Sequence, residues 1–175
     1  MKGSELFVTR LPALRVSLLQ IHGTTVQSAE QFATRILGSQ SEHRSPVSGP
    51  RVYSIGPMEW LLIDHSIHDM RRRLSEGVAR ALIRLTDVSD AFTSFSILGA
   101  GTRSVLASDI GAPLAVSTAG PGQYARTRLG LIEVIVHCTG ENAFDVHVDR
   151  SVADHFESWL SAQHSARFPT LDLLH

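Results

Sequence analysis

Tyr124-Ala-Arg-Thr-Arg-Leu-Gly-Leu-Ile-Glu-Val-Ile-Val-His-Cys-Thr-Gly-Glu-Asn-Ala-Phe-Asp-Val-His-Val148 is the stretch on which the fold class turns. It contains three β-prone runs, Tyr124 to Leu129, Leu131 to Cys138 and Ala143 to Val148. They are broken only at Gly130 and at Gly140-Glu141-Asn142. Connections this short cannot carry a crossover helix, so the strands pair antiparallel.

Working outward, Ser151 opens a segment in which Val152, Phe156, Trp159 and Leu160 recur at helical spacing, one apolar face for the sheet. Upstream, Leu82 to Val88 and Phe92 to Leu98 alternate as strands. Gly99 to Gly101 turns the chain into a short helix holding Val105 and Leu106, which Gly111 closes, and residues 112–122 form a Pro/Gly-punctuated connection.

Further upstream, Leu14, Val16 and Leu18 begin a half-buried strand that runs to about Ile21. Thr24 or Thr25 caps a helix carrying Val26, Ala29, Phe32, Ala33 and Ile36, which Gly38 stops. Residues 39–50 are polar and read as a loop. Arg51 to Ile55 and Glu59 to Ile63 are strands hinged at Gly56-Pro57, and the run Trp60-Leu-Leu-Ile63 predicts a strand buried on both faces. Asp64 and Ser66 cap a helix through Met70, Leu74 and Val78.

The order βαββαββαβββα implies an α+β fold, with a mixed or mainly antiparallel sheet and helices packed on it. It suits a split-βαβ arrangement better than a doubly wound nucleotide fold. We expect one domain over residues 1–164 and a tail over 165–175, whose Phe168, Leu171, Leu173 and Leu174 call for a surface, either a partner's or the chain's own sheet.

The 175 residues can bury roughly 70% of the surface exposed when unfolded. Sixteen Lys and Arg against seventeen Asp and Glu leave a formal charge of -1, which argues against a phosphate-binding surface and so against nucleic acid. The one tight basic run, Arg71-Arg-Arg73, cannot lie on a single helix face and reads as solvated. A single Cys138 excludes an internal disulfide and a multi-cysteine zinc site and suits a reducing compartment. No apolar run reaches the roughly 20 residues that span a bilayer, so the expected location is the cytoplasm, without membrane contact.

Candidate chemistry is sparse. Gly99-Ala-Gly-Thr-Arg-Ser104 sits where a dinucleotide loop would, but Ser104 replaces its third glycine and no acidic residue follows at the required distance. His65 and His68 have ligand spacing yet no third ligand in reach, so capping by Asp64 accounts for the segment. His137 and Cys138 are neighbours on a strand and point to opposite faces. No serine has a base and orienting acid at a motif spacing. Asp87, Asp90, Asp145 and Asp149 are the carboxylates best placed in ordered structure, and Asp87 and Ser89, where a strand becomes a turn, read as local bonding to backbone amides ahead of acid-base work. No residue is assigned a catalytic, cofactor-binding or metal-ligating role.

Ile55-Gly-Pro-Met-Glu-Trp-Leu-Leu62, Thr86-Asp-Val-Ser89, Ile97-Leu-Gly-Ala-Gly-Thr-Arg-Ser-Val-Leu106, Gly120-Pro-Gly-Gln-Tyr-Ala-Arg-Thr127 and Val148-Asp-Arg-Ser-Val-Ala153 stand in an order and spacing that resemble the gamma subunit of heterotetrameric sarcosine oxidase. The resemblance covers about residues 10–162. More distantly, the same blocks resemble the folate-binding domain of the glycine-cleavage aminomethyltransferase.

The first resemblance implies an accessory, non-catalytic subunit of a complex that oxidatively demethylates sarcosine or a similar N-methyl amine. Its partners would be alpha, beta and delta-like subunits, and FAD, FMN, NAD and tetrahydrofolate would be held by the larger chains, none by this one alone. The second implies an alternative, a stand-alone folate-binding protein or folate-dependent enzyme. Such enzymes carry a glycine-led motif ending in two aspartates, and here Gly130-Leu-Ile-Glu-Val134 offers Glu133 for one and apolar Val134 at the other.

Overall fold

A computed structural model of the chain describes residues 6–38, 44–75, 81–107 and 118–167. Its strands are β1 (Phe7–Arg10), β2 (Val16–His22), β3 (Arg51–Gly56), β4 (Glu59–Ile63), β5 (Leu82–Asp87), β6 (Phe92–Leu98), β7 (Tyr124–Leu129), β8 (Ile132–Gly140) and β9 (Ala143–Asp149). Its helices are α1 (Val26–Leu37), α2 (Ile67–Ser75), α3 (Thr102–Leu106) and α4 (Ala153–Arg167).

The α+β class holds, but the expected sheet is two. One has the order β1-β6-β9-β8-β7 and the other β3-β4-β2-β5, with antiparallel neighbours throughout. The four-stranded sheet, with α1 and α2, is a split-βαβ unit in which β2 and β4 fill the middle.

Side-chain alternation explains why two sheets form. Along β4, Trp60 and Leu62 pack with Leu19, Ile21, Phe32 and Met70 beneath α1 and α2. Leu61 and Ile63, on the opposite face, pack with Val16, Tyr53, Tyr124 and Ile135 between the sheets. The expectation of a strand buried on both faces is met. Along β8, Val134, Val136 and Cys138 face a third cluster with Phe156 and Leu160 of α4 and Val105 and Leu106 of α3, while Ile135 faces the other sheet. The layers therefore run helix, sheet, sheet, helix. Burying each large apolar side chain contributes about 1.5–3 kcal/mol.

Local signals hold in part. Thr25 is the N-cap of α1, its side chain accepting from the Ser28 amide. The cap of α2 is Ser66, whose Oγ accepts from the Asp69 amide at 3.3 Å. Asp64 does not cap that helix. It adopts φ 58 and its carboxylate accepts from the Arg15 amide. Strand β1 escaped the sequence reading because only Val8 and its neighbour Leu6 of this short edge pack inward, too few for a period. The first long strand begins at Val16 rather than Leu14.

Leu131 stands in the β7–β8 turn at 86% exposure, so β8 starts one residue later than expected and extends to Gly140. The turn itself needs Gly130, at φ 62, where a Cβ would meet the Trp159 indole at 3.3 Å. Ser151 lies in a 3-10 turn ahead of α4, which includes residues 165–167. Val78, Gly111 and the apolar residues of the tail lie outside the described residues, as do positions 39–43 of the expected loop and 112–117 of the expected connection.

Candidate functional site

The two sheets meet over a buried row of polar side chains. Strand β3 sends Arg51 and Tyr53 inward, β6 sends Ser94, β8 sends His137, and β9 sends Asp145 and His147. Period-two alternation puts each on the inter-sheet face. Tyr53 and His137 are fully buried, His147 nearly so, and Asp145 is 6% exposed.

The row is hydrogen-bonded from end to end. Ser94 Oγ lies 2.7 Å from His147 Nδ1, and His147 Nε2 is 3.3 Å from the Tyr53 hydroxyl. Tyr53 is in turn 3.1 Å from His137 Nδ1. A phenol carries one proton, so Tyr53 donates to one imidazole and accepts from the other. His137 Nε2 is buried without a hydrogen-bond partner among the described residues, while the nearby Ser45 and Gly122 backbone partly offsets the lowering of its pKa by burial.

Arg51 closes the row, donating to Asp145 at 2.6 Å with its guanidinium beside the Tyr53 hydroxyl. Burial opposes the Arg51 charge, but the Tyr53 and Asp145 interactions outweigh it and raise its pKa. Burial, aided by Arg51, lowers His137 to about 4 and His147 to about 3. Burial also raises Tyr53, against the opposing pull of Arg51. At neutral pH the histidines and tyrosine are uncharged, and the one ion pair is internally balanced.

Ser94 with His147 has the spacing of a nucleophile and its base. The pair lacks the rest of such a site. Ser94 and His147 are directly opposed cross-strand residues, His147 is a weak base at about 3, and its second nitrogen meets a phenol rather than a carboxylate. The arrangement fixes one sheet against the other, with each bond satisfying a group that would be costly to bury alone.

A cleft of about 190 Å³ beside the row is walled by Ile55, Leu61, Phe92 and Ile135, with Glu133 and His147 also lining it. Roughly 300–1,000 Å³ is usual for small-molecule sites. Glu133 is exposed and ion-paired with Arg126 at 3.0 Å, and Val134 is buried in the core beneath α4. The two motif positions, Glu133 and Val134, therefore face opposite sides of β8.

The remaining candidates resolve as local structure. Gly99-Ala-Gly-Thr-Arg-Ser104 is a strand-to-helix turn, with the Thr102 amide donating to the Gly99 carbonyl. Arg103 there donates to the Glu141 and Ala119 carbonyls and lies over the Phe144 ring. Cys138 faces that side and His137 the other sheet, as alternation requires. Asp87 accepts from the Ser89 amide and hydroxyl, and Asp149 repeats this with Ser151. These bonds lower both carboxyl pKa values. Asp90 pairs loosely with Arg150 at 3.6 Å, which joins the two turns. Arg71, Arg72 and Arg73 are exposed on α2. Among the described residues no cluster of three His, Cys, Asp or Glu side chains is placed to hold a metal ion, and no helix is long and apolar enough to cross a membrane.

Sequence reasoning named Asp145 and His137 but missed Arg51, Tyr53, Ser94 and His147 as their partners. The available signal was polar residues on otherwise apolar strands: Ser94 between Phe92 and Phe95, and Asp145 and His147 among Phe144, Val146 and Val148.

No protein-family model matches the chain, and no curated protein matches it by sequence. Solved structures do match. The chain superposes on a chain of the heterotetrameric sarcosine oxidase from Corynebacterium sp. U-96, solved with pyrrole 2-carboxylate, with a TM-score of 0.76 and 19% identity, covering 99% of this chain and 91% of that one. It superposes on the glycine cleavage system aminomethyltransferase T from Bartonella henselae with a TM-score of 0.61 and 11% identity, covering 91% of this chain but 46% of the enzyme. The two-sheet, helix-flanked architecture is thus a fold shared with a chain of heterotetrameric sarcosine oxidase and with about half of an aminomethyltransferase.

Proposed function

We propose that this chain is an accessory, non-catalytic subunit of the gamma type in a heterotetrameric sarcosine oxidase-like flavoenzyme, which oxidatively demethylates sarcosine or a similar N-methyl amine. One observation carries the reading. The chain matches nearly the whole of a subunit from such an oxidase but only 46% of the aminomethyltransferase. The likeness thus spans most of the oxidase chain and less than half of the folate enzyme.

The chemistry supports the same reading. The titratable groups brought together are buried, neutral or internally paired, and they bind the sheets to each other. The Glu133 and Val134 positions do not converge. In this reading FAD, FMN, NAD and tetrahydrofolate are held by alpha, beta and delta-like partners, in a reducing cytoplasm that suits a lone, buried Cys138.

Titration calorimetry of the isolated chain with tetrahydrofolate separates this reading from a stand-alone folate protein. We expect no binding heat from the isolated chain and co-purification with a flavin-binding chain from its native source. Stoichiometric tetrahydrofolate binding by the lone chain would favour the folate protein instead.

A further inference from the structure

We propose that the outer edge of β5 is a docking edge for an extended, acidic segment of a partner subunit, which adds to the four-stranded sheet as a fifth strand. The proposal rests on the accessory-subunit reading and names the surface that reading requires.

Four strand edges terminate the two sheets, and they are not equivalent. Strand β1 is only four residues long, a common way to blunt an edge. Strands β3 and β7 close on each other. The Val52 amide donates to Ser45 Oγ, the Ser54 amide to the Tyr124 hydroxyl, and Arg126 to the Ile55 carbonyl. An isolated bridge from Arg44 to Gln123 covers the start of β7.

Among the described residues, strand β5 has none of these protections. It ends its sheet, and no hydrogen bond among the described residues closes its outer side. The Val88 amide donates to Val16, so the alternation of the ladder directs Arg84 toward Gln20 and turns the amides and carbonyls of Ile83 and Leu85 outward. Asp87, the third outward residue, holds the Ser89 turn through its side chain.

The chemistry flanking the edge selects the occupant. A groove of about 450 Å³ runs along it, lined by Arg71, Leu74, Ser75, Ile83, Arg84 and Leu85. Arg71 rises from α2 on one face of the sheet. Arg84 stands on the opposite face, beside Leu82 at 68% exposure. Neither arginine has an ion-pair partner among the described residues.

A strand laid on this edge gains backbone bonds from Ile83 and Leu85. Its alternating side chains then reach the two cations, which carboxylates complement. A second copy of this chain is a poor occupant, because two-fold pairing of β5 with itself sets Arg84 near its own copy.

The test uses the full chain co-expressed with the flavin-binding chains that co-purify with it. We expect Arg71→Glu/Arg84→Glu to weaken association roughly tenfold or more while melting like the parent, since both side chains are exposed. Arg128→Glu, an exposed change on β7, should leave association unchanged. Parent association should also weaken as salt rises. Undiminished association of the double variant, or salt-insensitive association of the parent, overturns the edge and leaves the subunit reading standing. A homodimer of the lone chain that the double variant abolishes overturns it in favour of self-pairing. Failure of the parent to associate with any flavin-binding chain overturns the subunit reading and this proposal with it.

Discussion

The two faces of the five-stranded sheet are built on opposite principles. The face under α3 and α4 is apolar, with Phe95, Ile97, Val134, Val136, Phe144 and Val146 against Phe156 and Leu160. The face toward the other sheet surrounds Ser94, His137, Asp145 and His147 with Ile135 and Tyr124. Apolar packing is non-directional and tolerates small shifts. A hydrogen-bonded row fixes register, because displacement by one residue would unpair every member. The difference teaches where this chain gains stability and where it gains a single arrangement of its layers.

The largest expected effect comes from the apolar face. Phe156→Ala removes a fully buried ring that contacts Phe95 and Trp159, and should cost about 3–5 kcal/mol in urea unfolding. A loss below about 1 kcal/mol would mean that this face is not the main store of stability.

On the polar face, Asp145→Ala strands the Arg51 charge, whose side chain is only 15% exposed. The expected loss is about 3 kcal/mol. Asp145→Asn should recover part of it, because the amide oxygen still accepts from Arg51. Equal losses in the two variants would contradict the hydrogen-bonding role.

Tyr53→Phe is nearly isosteric and removes only the hydroxyl that joins His137 to His147. Leaving those nitrogens unpaired should cost about 1–3 kcal/mol. The pH dependence sharpens the same point. Both histidines lie below their unfolded value of 6.5, so below that pH the unfolded chain binds more protons than the folded one. Stability should fall as pH drops from 6.5 toward about 4, where His137 titrates in the fold, and on toward about 3 for His147. Denaturant midpoints measured across this range should slope less steeply in His147→Gln. An unchanged slope would show that His147 is not the source.

The smallest effect belongs to the surface. Arg126 and Glu133 pair at 3.0 Å with both side chains more than half exposed, so Glu133→Gln should change stability by less than about 1 kcal/mol. A much larger loss would promote Glu133 from rim residue to part of the inter-sheet row.

How much of this was legible in the sequence follows from the same contrast. The Trp60-to-Ile63 run, the opposite faces of His137 and Cys138, a threonine cap at Thr24 or Thr25 and the Asp87-to-Ser89 turn are local signals, and they read correctly, the cap being Thr25. The Trp60 to Ile63 run showed a strand buried twice but not what buried its second face. Dividing the strands between two sheets depends on β6 leaving β5 at the Asp87-to-Ser89 turn, and nothing within a few residues of that turn states it. The row could not be assembled because Arg51 and Tyr53 lie 94 and 84 residues from the partners they meet in Asp145 and His137. Its members were visible as polar interruptions of apolar strands, while their convergence is a property of the packed sheets.

The central claim, that this chain completes a larger flavoenzyme, is tested most directly by purifying it under native conditions from its own source and measuring the mass and flavin absorbance of the species that contains it. The account predicts a stoichiometric assembly with a larger, flavin-bearing chain. Elution as a colourless species of the chain's own mass would contradict it.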